Sequence, residues 1–228
     1  MLIFLDIETT GLEAIDKIIS MGIMAIDKDE TISKYDVVNE GKKIPSLASS
    51  INHITNEMIK DKPKLKESES YKFLVKNNNE DSTIVGHNIK FDLDKLSAIG
   101  FFWQGKVIDT MRVTKHLIPE CEFFSLQFLR YELKLYKKEK IEMMPHNAMS
   151  DAIVINNLYN YLKEMVSDNE MIDLSLKKVL MEKLIFGKYL GRYIEDIVMN
   201  DRGYLEWMLC NISDLDEDLR YSIEYYLG

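Results

Sequence analysis

The chain opens on a run of apolar positions, Leu2-Ile3-Phe4-Leu5, interrupted at Asp6 and again at Glu8. So short a run ending in charge predicts a buried strand over residues 2–7. A second apolar stretch, Ile18–Asp27 with Gly22 inside it, and the alternating stretch Ile32–Val38 predict two more strands and an antiparallel three-strand opening. Residues 55–80 are polar and lysine-rich around Pro63, as expected of helical pieces on the surface. Thr83–Gly86 predicts a further strand, Phe91–Ile99 a helix with apolar residues at 91, 93, 96 and 99, and Val107–Ile108 a fifth, short strand. Leu126, Leu129 and Leu133 mark one helix face. Ala148–Met165 predicts a longer helix with Ile153, Leu158, Tyr161 and Leu162 inward. Strands first and helices interleaved later predict an α/β fold, a mixed sheet flanked by helices. The pattern lapses at VSDNEMIDLS, residues 166–175, which reads as a linker. Beyond it lies a compact segment punctuated by Gly187, Gly191 and Gly203, with a helix expected over 216–227. The expected organisation is a domain over 1–168 and a small module over 176–228.

Composition changes this picture little. With 228 residues, 46% hydrophobic and 29% charged, the chain can bury a real core as a soluble globular protein. Its apolar runs are too short to span a bilayer, and no basic segment precedes Asp6 to suggest a signal peptide, so a cytoplasmic protein without membrane association is expected. Cys121 and Cys210 stand in unrelated contexts outside any C-x-x-C pair, as reduced thiols would. Charge matters more. A formal net charge of −9 argues against bulk electrostatic capture of nucleic acid. Clustered carboxylates around divalent cations would reverse the local field, and would leave a weak, salt-sensitive grip.

Three segments carry candidate chemistry. Asp6 and Glu8, two positions apart on the first strand, share one face of the sheet. Two carboxylates side by side at the end of an apolar strand are unfavourable unless a cation or donor compensates. Alternatively, the strand has simply reached the surface. Asp92, in GHNIKFDLDKL, falls in the first or second turn of its helix, where an acid is stabilising on electrostatic grounds alone; Asp94 is expected to face solvent. In PHNAMSDAIVINNLY, Asp151 sits near a helix start and His146 on the loop before it. A loop imidazole titrating at about 6.5 can serve as a general base, or be an ordinary loop residue.

Taken together, Asp-x-Glu on a first strand, HN-x-x-FD at a strand-to-helix turn and H-x-x-x-x-D opening a late helix resemble the DnaQ-like 3′–5′ exonucleases of the DEDDh type. NHITNEMI at 52–59 and Val107-Ile108-Asp109-Thr110 are similar to that family as well. The resemblance implies a ribonuclease H-like fold and two divalent cations, Mg²⁺ or Mn²⁺. Asp6 would bridge both ions, Glu8 and Asp151 would hold the nucleophile-side ion, and Asp92 the other. It further implies His146 as general base, nucleoside 5′-monophosphate products, and contacts to the terminal nucleotide from Thr9, Leu12, His53 and Asn88.

The tail, FGKYLGRYIEDI…DRGYLEWML…LRYSIEYYL, resembles the C-terminal module of exodeoxyribonuclease X-like proteins. That resemblance implies DNA with a free 3′ end as substrate, single strands preferred, and a place in DNA repair. Tyr204, Trp207 and Phe186 are expected to be core of the module rather than a stacking surface, with Lys188 and Arg192 beside the glycine turn as candidate DNA contacts. Alternatives are an exoribonuclease or oligoribonuclease of the same superfamily, which would use the same five residues, and a polymerase proofreading subunit. A non-enzymatic DNA-binding protein on a decayed nuclease fold fits poorly with five intact motif positions.

Overall fold

The structure, a computed structural model, describes residues 1–28, 30–139 and 143–228. Five strands, β1 (Leu2–Thr9), β2 (Ile18–Asp27), β3 (Glu30–Val37), β4 (Thr83–Gly86) and β5 (Lys106–Asp109), form one mixed sheet in the order β3-β2-β1-β4-β5. The pairs β1–β2 and β2–β3 are antiparallel, whereas β1–β4 and β4–β5 are parallel. The expected antiparallel opening and mixed α/β sheet are therefore present. The helices are α1 (Ser46–Asn52), α2 (Asn56–Ile59), α3 (Glu69–Lys76), α4 (Ile89–Ser97), α5 (Thr110–Leu117), α6 (Leu126–Glu132), α7 (Ala148–Lys163), α8 (Asp168–Leu176), α9 (Ile194–Asn211) and α10 (Glu217–Leu227).

Side chains alternate across β1 because successive residues of a strand point to opposite faces. Ile3, Leu5 and Ile7 join Met21, Ile23 and Ala25 of β2 in a core with Leu74 and Leu96, on α3 and α4. On the opposite face Phe4 packs edge-on against Tyr159 of α7, with ring centroids 5.4 Å apart. That second face turns from apolar to acidic along the strand: Phe4, then Asp6, then Glu8. Ligand sites in open α/β sheets gather at such carboxyl ends of parallel strands.

Helix α7 buries Asp151, Ala152, Val154, Ile155, Leu158, Tyr159 and Leu162, while Ile153 and Tyr161, expected inward, are only half-buried. The predicted linker over 166–175 is corrected more substantially. It is mostly the helix α8, with Met171 fully buried. Ser167 and Glu170 cap its start reciprocally: the Glu170 carboxylate accepts the Ser167 amide at 2.8 Å, and Ser167 Oγ accepts the Glu170 amide at 3.3 Å. This Ser-x-x-Glu arrangement is a capping box, a local signal that polarity alone conceals.

The chain forms two compact units, residues 1–114 with 122–175, and residues 115–121 with 176–228. The second has an aliphatic core: Leu184, Ile194, Ile197, Leu205, Met208, Leu215, Leu219 and Ile223. Of the aromatic core expected there, Tyr204 packs against this cluster, whereas Trp207 and Phe186 do not belong to it. Trp207 is 52% exposed and Phe186 38% exposed, while Tyr204 is half-buried and stacks on Trp207. Helical periodicity explains this, since Leu205 and Met208 point inward and Trp207 lies about 100° around the helix from Met208. Gly187, at φ +81°, turns the chain where a Cβ would strike the Tyr204 hydroxyl. Among the described residues no helix is long and apolar enough to cross a membrane, and no disulfide joins Cys121 to Cys210.

Candidate metal centre

Asp6 pairs with Gly22 and Glu8 with Ser20 across the β1–β2 ladder, so both carboxylates lie on the face that α7 covers. Helix α7 arrives over Gly22, where a Cβ would collide with the backbone of Ala148 and Met149. Its first turn then delivers Asp151, which is 5% exposed. Ligand atoms of Glu8, His146 and Asp151 all lie within 4.8 Å of one another. The cap of α7 is Asn147, whose side chain accepts the Ser150 amide at 3.2 Å. His146 precedes it in a left-handed conformation, φ +56°, with its side chain exposed.

Asp92 reaches the same place from α4. The turn after β4 passes through Asn88 at φ +59°, whose amide donates to Asp109 Oδ1 at 3.0 Å. One turn later the Asp92 carboxylate accepts the Ile7 amide at 3.1 Å, which ties it to β1 between Asp6 and Glu8. His87, in the same turn, lies 2.7 Å from the Phe124 carbonyl and 3.0 Å from the Thr110 hydroxyl.

Four carboxylates in one place cannot all stay ionised without compensation. Burial, reinforced by Asp92, Asp151 and Glu8, holds Asp6 well above the usual carboxylate range. Glu8 is pushed up to about 8 by burial and then by Asp151 and Asp92. Burial also raises Asp92, against the opposing pull of its backbone hydrogen bonds. Burial raises Asp151 to about 6, less far, because Gln127, the His146 amide, Arg130 and the Asn147 amide favour its charged form. A hard oxygen donor set of four crowded carboxylates with an imidazole at its rim fits divalent cations.

Thr9 is buried and its hydroxyl donates to the Gly11 carbonyl, whereas Leu12 is 81% exposed. His53 caps α1 in a left-handed conformation, exposed, beside Asn52, whose side-chain Nδ2 donates to the Thr9 carbonyl at 3.3 Å. Asn88 is exposed too. In the second unit, Lys188 lies 3.0 Å from Asp201 and over the Tyr189 ring, and Arg192 is exposed.

Sequence reasoning overlooked several residues here. Buried Lys95 donates to the Gly11 and Glu13 carbonyls, holding the loop that carries Leu12. Tyr35, on the same cross-strand row as Asp6 and Gly22, receives a hydrogen bond from Asn147 Nδ2 at 3.2 Å. Gln127 donates to Asp151 at 2.7 Å. None of the three has a local signal, because each acts across a long chain separation.

Residues 3–159 match the family described as Exonuclease, and residues 184–213 the family Exodeoxyribonuclease X-like C-terminal. The chain is 27% identical to Exodeoxyribonuclease 10 of Escherichia coli (strain K12), covering 100% of this chain and 99% of that protein. It is 28% identical to the PolC-type DNA polymerase III of Thermotoga maritima, covering 99% of this chain and 16% of the polymerase. A solved structure of Exonuclease X in complex with 5′ overhanging duplex DNA shares the fold, with TM-score 0.60 and 22% identity, over 77% of this chain and 99% of that one.

Proposed function

Because this chain belongs to the Exonuclease family, we propose that it hydrolyses phosphodiester bonds at the 3′ end of DNA and releases nucleoside 5′-monophosphates. The observation that carries this reading is the convergence of Asp6, Glu8, Asp92 and Asp151 with His146 at the carboxyl end of β1. DNA as substrate is supported by the full-length similarity to Exodeoxyribonuclease 10 and by the match of residues 184–213. Single strands as the preferred form, a cytoplasmic location and a role in DNA repair complete the proposal. In this proposal residues 1–168 serve as the nuclease domain and residues 176–228 as a small C-terminal module.

The four carboxylates would hold two cations, Mg²⁺ or Mn²⁺: Asp6 between both, Glu8 and Asp151 on the side of the attacking water, Asp92 on the other. When bound, such ions activate water and offset the charge that develops on the departing 3′ oxygen. His146 takes the proton of the attacking water on a ring nitrogen; its exposed place on the rim lets it exchange that proton with solvent. Thr9, Leu12, His53 and Asn88 hold the terminal nucleotide, and Lys188 and Arg192 add weak contacts to the strand. The test is degradation of 5′-labelled single-stranded DNA with Mg²⁺, beside matched RNA and an Asp6→Ala control. A ladder shortening from the 3′ end, absent in the control, is expected. A ladder with RNA alone would move the protein to the exoribonucleases, and no product from either would overturn the reading.

A further inference from the structure

Asp151 does not stand alone on α7; it ends a chain of hydrogen bonds that begins in a buried ion pair. Glu139 accepts two bonds from the Arg130 guanidinium, Nε to Oε1 at 2.7 Å and Nη2 to Oε2 at 2.6 Å, and both side chains are 7% exposed. A fork of this kind fixes the plane of the guanidinium as well as its position. The third nitrogen, Nη1, donates to Gln127 Oε1 at 3.1 Å. Gln127 Nε2 donates in turn to Asp151 Oδ1 at 2.7 Å.

The order of donors leaves one way to read the glutamine. An arginine can only donate, so it must meet the oxygen of the Gln127 amide, and the nitrogen then faces Asp151. Without Arg130 the amide could turn over and present its oxygen to the carboxylate, a repulsive contact. Gln127 and Arg130 stand three residues apart on α6, one turn along the same face. The helix therefore supplies both links, and its own start is capped by Ser125, which accepts the Phe128 amide at 3.4 Å.

We propose that Gln127 is a positioning residue for Asp151, held by the Arg130–Glu139 pair, and that it sets how tightly the carboxylate cluster grips a divalent cation. The proposal rests on the reading of Asp151 as a metal ligand. Gln127 occupies one lone pair of Oδ1 and fixes the carboxylate plane, so the remaining lone pairs stay directed to the side shared with Glu8 and His146. A carboxylate free to rotate would have to be ordered each time a cation binds. Hydrogen-bond partners of this kind, one step out from a metal, are commonly worth about 10- to 100-fold in affinity.

The experiment is a Mn²⁺ titration of the full chain without DNA, by electron paramagnetic resonance of free Mn²⁺, on wild type, Asp151→Asn and Gln127→Met. Methionine keeps the length of glutamine and removes both the donor to Asp151 and the acceptor from Arg130. Gln127→Met, in a chain still folded by circular dichroism, is expected to bind Mn²⁺ about ten-fold more weakly. Its kcat at limiting Mn²⁺ should fall and recover with excess metal, while KM for DNA stays put. Gln127→Asn, one methylene too short for the gap, should show the same loss and guards against misfolding of the first variant. Wild-type Mn²⁺ affinity in both Gln127 variants, with binding lost in Asp151→Asn, would overturn the proposal and leave the metal reading intact. Absence of Mn²⁺ binding by the wild type would overturn the metal reading and this inference with it.

Discussion

Gly22 lies directly beneath the backbone of Ala148, so closely that a single added Cβ would overlap the Ala148 carbonyl and the Met149 amide nitrogen. Gly22 is also the β2 partner of Asp6. The absence of a side chain at one position on β2 is what lets the first turn of α7 bring Asp151 down onto the β1 carboxylates. Gly22→Ala is expected to lift that turn, lowering stability by about 1–3 kcal/mol as overpacking does. Exonuclease activity should fall further than the stability loss explains. Urea unfolding beside a nuclease assay checks both; wild-type activity in a folded variant would mean that the helix start tolerates displacement.

The carboxylate cluster makes metal-free stability depend on pH. Glu8 rises to about 8 and Asp151 to about 6 in the folded chain, above their ordinary values, so the folded state holds more protons than the unfolded one between about pH 4 and 8. Stability contributed by the protonated forms is full below the unfolded values and is lost as pH rises through the folded ones. Melting temperature in chelator is therefore expected to fall from pH 5 to pH 8, and Mg²⁺ or Mn²⁺ should restore it at the upper end. A flat profile in chelator would contradict the crowding of these acids.

Removing one member of the cluster separates stability from activity. Asp6→Asn keeps the shape and takes away the charge that Glu8, Asp92 and Asp151 oppose. In chelator this variant should melt above wild type, and with Mg²⁺ it should have no measurable nuclease activity. Thermal melts with and without metal give the answer, and a lower melting temperature in chelator would count against the electrostatic account.

His146 is exposed and sits on a turn. His146→Ala should change stability by no more than about 0.5 kcal/mol, while kcat drops about 10²- to 10⁴-fold, the usual worth of a general base. Retained wild-type kcat would remove the imidazole from the mechanism.

In the second unit, Lys188 is already bonded to Asp201, which also accepts from the Tyr189 hydroxyl at 2.8 Å. A Lys188→Ala/Arg192→Ala double variant should weaken single-stranded DNA binding several-fold in low salt and less in high salt. Fluorescence anisotropy with a labelled oligonucleotide measures this. Unchanged binding would leave both residues as local structure of the module.

The sequence alone determined the parts of this protein that are written locally. Alternation along β1 placed Asp6 and Glu8 on one face, the HN turn placed Asp92 in the first turns of α4, and Pro145 before a periodic run placed His146 ahead of the α7 start. Each depends on residues a few positions apart, where backbone geometry leaves little choice. The capping box of Ser167 and Glu170 was equally local, and a reading by polarity passed over it. Tertiary structure decided the rest. Tyr35 meets Asn147, Lys95 meets the Gly11 loop and Gln127 meets Asp151 only because the sheet order and the docking of α4, α6 and α7 carry them there. The exposure of Trp207 was decided in the same way, by which face of α9 turns to α10 rather than by the size of the side chain. Such contacts follow from the summed packing of the whole domain, and no short stretch of residues encodes them.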